Sequence, residues 1–198
     1  MTSRQQNDQP SHPSGPDPGY RPGPLARTGL ADGGATLIMT RTFRYPIGSV
    51  WSALTDPYQL RQWAPFLADR DLARLGTASL TMNGEDGDKG EHGDSQPARV
   101  RVCEPPHVLE FTWGADVLRW ELEETASGTS LTLRHTLSDA GMGSAAAAGW
   151  HICLDVADGL LAGRPFGPIV GPRAREFGWD DLNDAYARQL DIPAARIW

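Results

Sequence analysis

Residues 108–137 read VLEFTWGADVLRWELEETASGTSLTLRHTL, and their patterning decides the fold. Apolar and polar residues alternate through VLEFTW, DVLRWELEET and TSLTLRHTL, the period of a strand with one face covered and one wet. The links between these segments are too short for a parallel crossover, so they form an antiparallel meander. One face gathers Leu109, Phe111, Trp113, Leu118, Trp120, Leu122, Leu131, Leu133, His135 and Leu137, whereas the other carries Glu110, Arg119, Glu121, Glu123, Thr132 and Arg134. Upstream, ARVRVCE alternates in the same way and adds Val100 and Val102 to the covered face.

A covered sheet face needs a partner, and the long helix expected from about Met142 to Ala162 supplies one. At 1.5 Å per residue it spans about 30 Å, enough to cross such a sheet. On a helical wheel, Trp150, Leu154, Ala157 and Leu161 share the oily side. His151, Asp155 and Asp158 fall together in the gap of the apolar arc. The expectation for them is a solvated strip with an i, i+4 charge pair, since a metal site would need further ligands.

Working outward, ATLIMTRTFRYP reads as a first strand and IGSVWSALTD as a short amphipathic helix. Asp56-Pro57 breaks that helix and caps a second, PYQLRQWAPF. Leu72, Leu75, Leu80 and Met82 suggest two short strands, with an acidic loop from Asn83 to Asp94 before the meander. Residues 1–34 are rich in proline and glycine with almost nothing to bury, so they are expected to be disordered. Residues 35–163 form the domain. Residues 164–198 form a C-terminal extension whose short helix carries Trp179, Leu182, Tyr186 and Leu190 on one side.

Composition narrows the function classes. The net charge of −7 repels phosphate backbones, and the 18 basic residues are scattered, which argues against nucleic-acid binding. Two cysteines without paired spacing suggest a reducing compartment, and no apolar run reaches a membrane span or a signal segment, so a cytoplasmic location is expected.

The element order, together with VWSALTDPYQLRQW, LEFTWG, LRWELEE, LTLRHTLSD and AGWHICLDVADGLLAG, resembles the Hsp90-ATPase-activator-like (AHSA1-like) branch of the SRPBCC, or START-like, superfamily. The resemblance covers about residues 36–163, and GRPFGPIVGP with the final helix is also similar to bacterial members. It implies an α+β helix-grip fold of START/Bet v 1 type, a curved antiparallel sheet around a long C-terminal helix. It also implies a range of roles: hydrophobic-ligand carrier, polyketide cyclase or aromatase, or co-chaperone.

Chemistry-bearing motifs are sparse. Gly141-Met-Gly-Ser-Ala-Ala146 matches a dinucleotide fingerprint but follows a meander strand and has no parallel strand after its helix. An EF-hand aligned on Asp86 places Pro97 where the bidentate glutamate belongs. No GxSxG or HExxH occurs. His12, His92 and His107 fall outside regular elements and are expected to be exposed.

His135, on the covered face, could hydrogen-bond a ligand or act as acid or base, or it could be a satisfied core histidine. Arg41 faces inward if Met39 and Phe43 do, and would then need a carboxylate or an anionic ligand. The expectation is a non-catalytic, cofactor-free, metal-free binding protein. It would hold a small hydrophobic molecule between sheet and helix against His135, Trp113, Trp120, Phe111, Arg41, Leu133, Leu154 and Ala157. The alternatives are a cyclase-like or hydrolase-like enzyme using the same cavity, and a chaperone-interaction or stress-related module. The chain would act as a monomer or homodimer.

Overall fold

The computed structural model describes residues 19–84 and 95–197. In chain order the strands are β1 (Arg27–Ala31), β2 (Thr36–Phe43), β3 (Phe66–Ala68), β4 (Gly76–Met82), β5 (Ser95–Glu104), β6 (Val108–Trp113), β7 (Asp116–Thr125) and β8 (Gly128–Thr136). The helices are α1 (Ile47–Thr55), α2 (Pro57–Leu60), α3 (Gly143–Leu161) and α4 (Trp179–Leu190). One antiparallel sheet runs β1-β2-β8-β7-β6-β5-β4-β3. Its concave face carries Leu109, Phe111, Leu118, Trp120, Leu131 and Leu133, all buried against α3 and the two short helices. This is the expected α+β helix grip.

Local chemistry places the short helices. Asp56 Oδ1 accepts from the Tyr58 amide at 2.8 Å and Pro57 takes the first helical position, so the chain restarts at α2. The second helix is shorter than PYQLRQWAPF suggested: it spans Pro57–Leu60. Beyond it, Trp63 turns inward and its indole N–H donates to the Ala53 carbonyl at 2.9 Å, fastening α2 to α1.

The sheet departs from the expected pattern in three places. The register between β5 and β6 shifts between Val100 and Val102. Val100 therefore pairs with Phe111, but Val102 pairs with Glu110 and leaves the covered face, which Cys103 rejoins opposite Leu109. Leu72 is buried in a loop and Leu75 is exposed, while Phe66–Ala68 forms the edge strand in their place.

The third departure concerns the N-terminal segment. Residues 19–34 are ordered rather than part of a disordered tail, because Arg27–Ala31 pairs with β2 residue by residue from Arg27↔Thr40 to Ala31↔Thr36. Residues 1–18 and most of the acidic loop, including His12 and His92, lie outside the described residues.

The C-terminal extension is equally integrated. A 3₁₀ turn over Gly171–Phe177 leads through Gly178, at φ 88°, into α4, and α4 packs along α3. A left-handed φ at this joint favours glycine. The long helix is thus covered by the sheet on one side and by both chain extensions on another.

Candidate functional site

Three features could carry function: the sheet–helix interface, a polar cluster behind the helix, and a groove between the two chain extensions. At the interface, Trp63, Trp120 and Trp150 meet edge to face, with ring centroids 6.4 Å and 5.2 Å apart. Phe66 packs likewise on Phe111 and Trp113. Each such pair contributes about 0.5–1.5 kcal/mol beyond its buried area. Phe111, Trp120, Leu133, Leu154 and Ala157 retain between 0% and 3% exposure, too little to border a cavity of water size. The expected ligand space between sheet and helix is therefore filled by the aromatic side chains that were to line it. Trp113 is half-buried, and it too packs on Phe66.

His135 is tied at both ring nitrogens. Nδ1 accepts from the Trp150 indole N–H at 3.0 Å, so the neutral ring carries its proton on Nε2, which donates to Asp116 Oδ2 at 2.9 Å. Burial alone would raise the Asp116 carboxyl, but hydrogen bonds from His135 and Ser138 outweigh it and hold it at about 2. With both nitrogens engaged by protein, His135 has none left to orient a ligand or transfer a proton to one. It is a satisfied core histidine, partnered by tryptophan and aspartate.

Of the strip expected to be wet, His151 and Asp155 are covered, whereas Asp158 stays partly exposed. His151 is fully buried and Asp155 nearly so, covered by α4 and by residues 20–26. Asp155 is the hub: its oxygens accept from the Arg41 guanidinium, from the Gly23 amide at 2.8 Å and from the Tyr20 hydroxyl at 3.2 Å. Arg41 does face inward with Met39 and Phe43, and a carboxylate meets its need rather than a ligand. His151 Nε2 lies 3.2 Å from Asp155 Oδ2, near enough for attraction but without hydrogen-bond alignment. Its Nδ1 sits 2.7 Å from the Tyr186 hydroxyl, which in turn accepts from the Ala26 amide at 2.9 Å.

Burial opposes the charge on Asp155, yet His151, Arg41 and Gly23 together hold its carboxyl below the ordinary range. Burial, and then Asp155, push the Tyr20 hydroxyl upward. The cluster joins β2, α3, α4 and the N-terminal segment through side chains distant in sequence.

The groove is open to solvent. About 500 Å³ is lined by Tyr20, Arg21 and Pro22 of the N-terminal segment, Glu176, Phe177 and Gly178 of the 3₁₀ turn, and Asp181, Leu182 and Ala185 of α4. Tyr20 stands edge-on to Phe166 and Phe177, at 5.9 Å and 5.6 Å between centroids. A depression of about 590 Å³ beside α4 is wider and rimmed by Asp184, Arg188 and Asp191, a less apolar setting. Sequence reasoning had named none of the groove residues as a site. Their only prior signal was the one-sided helix pattern in which Leu182 lies.

Among the described residues, no group of three histidine, cysteine or acidic side chains could hold a metal ion, and no helix is long and apolar enough to cross a membrane.

A family model described as activator of Hsp90 ATPase homolog 1-like protein matches residues 44–162, more than half of the chain. The chain belongs to this AHSA1-like family. Solved structures agree on the fold. CalU16 from Micromonospora echinospora is 22% identical at a TM-score of 0.57, over 78% of this chain and 87% of that one. An AHSA1-like protein from Aeromonas hydrophila is 19% identical at 0.54, over 66% of this chain and 96% of that one. DynU16, from the dynemicin biosynthetic locus, is 22% identical at 0.55, over 66% of this chain and 49% of that one. No curated protein matches the chain. The family match begins at residue 44 and ends at residue 162, so Tyr20–Pro22 and Glu176–Ala185, which form the groove, lie outside it.

Proposed function

We propose that this AHSA1-like protein is a non-catalytic binding protein that holds a small hydrophobic molecule in the groove between Tyr20–Pro22 and α4. The observation that carries the reading is the groove itself. Its volume of about 500 Å³ suits a small molecule, and Tyr20, Pro22, Phe177, Leu182 and Ala185 give it an apolar lining. Burial of apolar ligand surface would supply the affinity, with Arg21, Glu176 and Asp181 at hand for any polar end. The non-catalytic part is supported by the saturation of His135, the side chain best suited to acid–base work. The filled sheet–helix interface moves the ligand away from the family fold's interior.

Native mass spectrometry of freshly purified protein tests the reading. A co-purifying apolar molecule is expected, and its loss from an Ala185→Trp variant would place it in the groove. Retention by that variant would contradict the placement.

The biosynthetic setting of DynU16 favours a second reading, a cyclase-like or hydrolase-like enzyme. Chemical change of the captured molecule on incubation with the protein would support it. The family description also raises a co-chaperone role, which an unchanged ATPase rate of an Hsp90-type chaperone on addition of the protein would remove.

A further inference from the structure

Residues 20–26 form one wall of the groove, yet they contain no helix or strand and are fastened at only a few points. Asp155 takes the Tyr20 hydroxyl and the Gly23 amide, while Tyr186 and Gln189 take the Ala26 amide and carbonyl at 2.9 Å and 3.1 Å. A Cβ on Gly23 would stand 3.3 Å from Asp155 Oδ1, so the backbone rests directly on the carboxylate. Pro22 and Leu25 stay exposed between these points.

We propose that residues 20–26 are a strap latched by Asp155, and that the closed latch is what completes the ligand groove. The inference rests on the groove being the ligand site and adds how that site is controlled. Four side chains outside the strap preset the latch: Arg41 and His151 hold Asp155 charged, and Phe166 and Phe177 seat the Tyr20 ring. When the strap lifts, Tyr20, Arg21 and Pro22 leave and the groove loses its wall. Apparent affinity then scales with the fraction of molecules whose strap is closed.

The test is amide hydrogen exchange across residues 20–26, read with a β7 peptide as control for the global fold, in the full chain. Asp155→Asn is expected to speed exchange of the strap by about tenfold or more while β7 is unchanged, because it weakens charge-assisted bonds. Tyr20→Phe removes one strap bond without touching Arg41 or His151, and should give a smaller acceleration of about threefold. It serves as the test if Asp155→Asn also loosens β7. Strap exchange equal to wild type in Tyr20→Phe and in any folded Asp155→Asn would overturn the latch.

With the apolar dye 1-anilinonaphthalene-8-sulfonate as probe, saturation should slow strap exchange in the wild type, because a dye that binds only the closed groove lowers the open fraction. Strap exchange that dye saturation leaves unchanged would sever the latch from the groove. Ala185→Trp separates the two claims. It should abolish dye binding with strap exchange unchanged, and dye binding that survives Ala185→Trp refutes the groove while leaving the exchange result standing.

Discussion

His135→Ala distinguishes a core histidine from a ligand-binding one. The substitution strands the Trp150 indole N–H, which is buried beside a ring only 5% exposed, and an unsatisfied buried donor costs about 1–3 kcal/mol. The void left by the imidazole adds about 1–2 kcal/mol, as for other large-to-small core changes. Asp116 loses its ring partner as well, but at 22% side-chain exposure water replaces most of that bond. The expected loss is about 3–4 kcal/mol, a fall in Tm of about 10 °C for a chain of this size. Urea unfolding followed by tryptophan fluorescence measures it, and dye titration of the folded variant reads the groove. The account requires a large stability loss with dye affinity unchanged. A variant as stable as wild type but unable to bind would refute the reasoning, because His135 would then be serving the ligand and not the core.

Other outcomes follow from the same contacts. Asp116 has its carboxyl lowered from 3.8 to about 2, so its contribution is present above about pH 4 and lost as pH falls through about 2. With allowance for solvent screening, Asp116→Asn should cost about 1–2 kcal/mol in urea unfolding at pH 7, and the gap to wild type should close toward pH 2. Gly128 sits at φ 142° with a Cβ position 2.1 Å from the Phe43 carbonyl oxygen, so Gly128→Ala should destabilise by about 3 kcal/mol or more in thermal unfolding. A cost below about 1 kcal/mol would show that the hairpin has another way to turn. Cys153 is buried and its thiol is pushed up to about 12, whereas Cys103 is partly exposed. Thiol titration of the native protein should therefore consume Cys103 first and reach Cys153 only on unfolding.

Much of the scaffold was legible because its signals are local. The alternation from Val108 to Leu137, the capping Asp56-Pro57 pair and the oily side of α3 each sit within one stretch of sequence. What escaped depends on partners far along the chain. RTGLA offers no strand period, and it becomes β1 because β2 pairs with it from Arg27↔Thr40 onward. His151 and Asp155 do occupy a gap in the apolar arc of α3. A wheel cannot show that Tyr186, Tyr20, Gly23 and Arg41 arrive from elsewhere to satisfy them.

Val102 left the covered face through a register shift that strict alternation in ARVRVCE could not reveal. The site was harder still. The sequence marked the aromatic residues of the interior, and aromatics that fill a core and aromatics that line a cavity have the same pattern. Volume decides between them, and the groove at Tyr20 and Leu182 exists only once both chain extensions have docked.

The central claim is that an apolar ligand sits in the groove and not beneath the long helix. Amide and indole chemical-shift mapping during titration with 1-anilinonaphthalene-8-sulfonate tests it most directly. The account predicts shifts at the amides of Tyr20, Phe177, Leu182 and Ala185, with the indole N–H signals of Trp120 and Trp150 unmoved. Shifts concentrated on Trp120 and Trp150, with the groove amides silent, would contradict it.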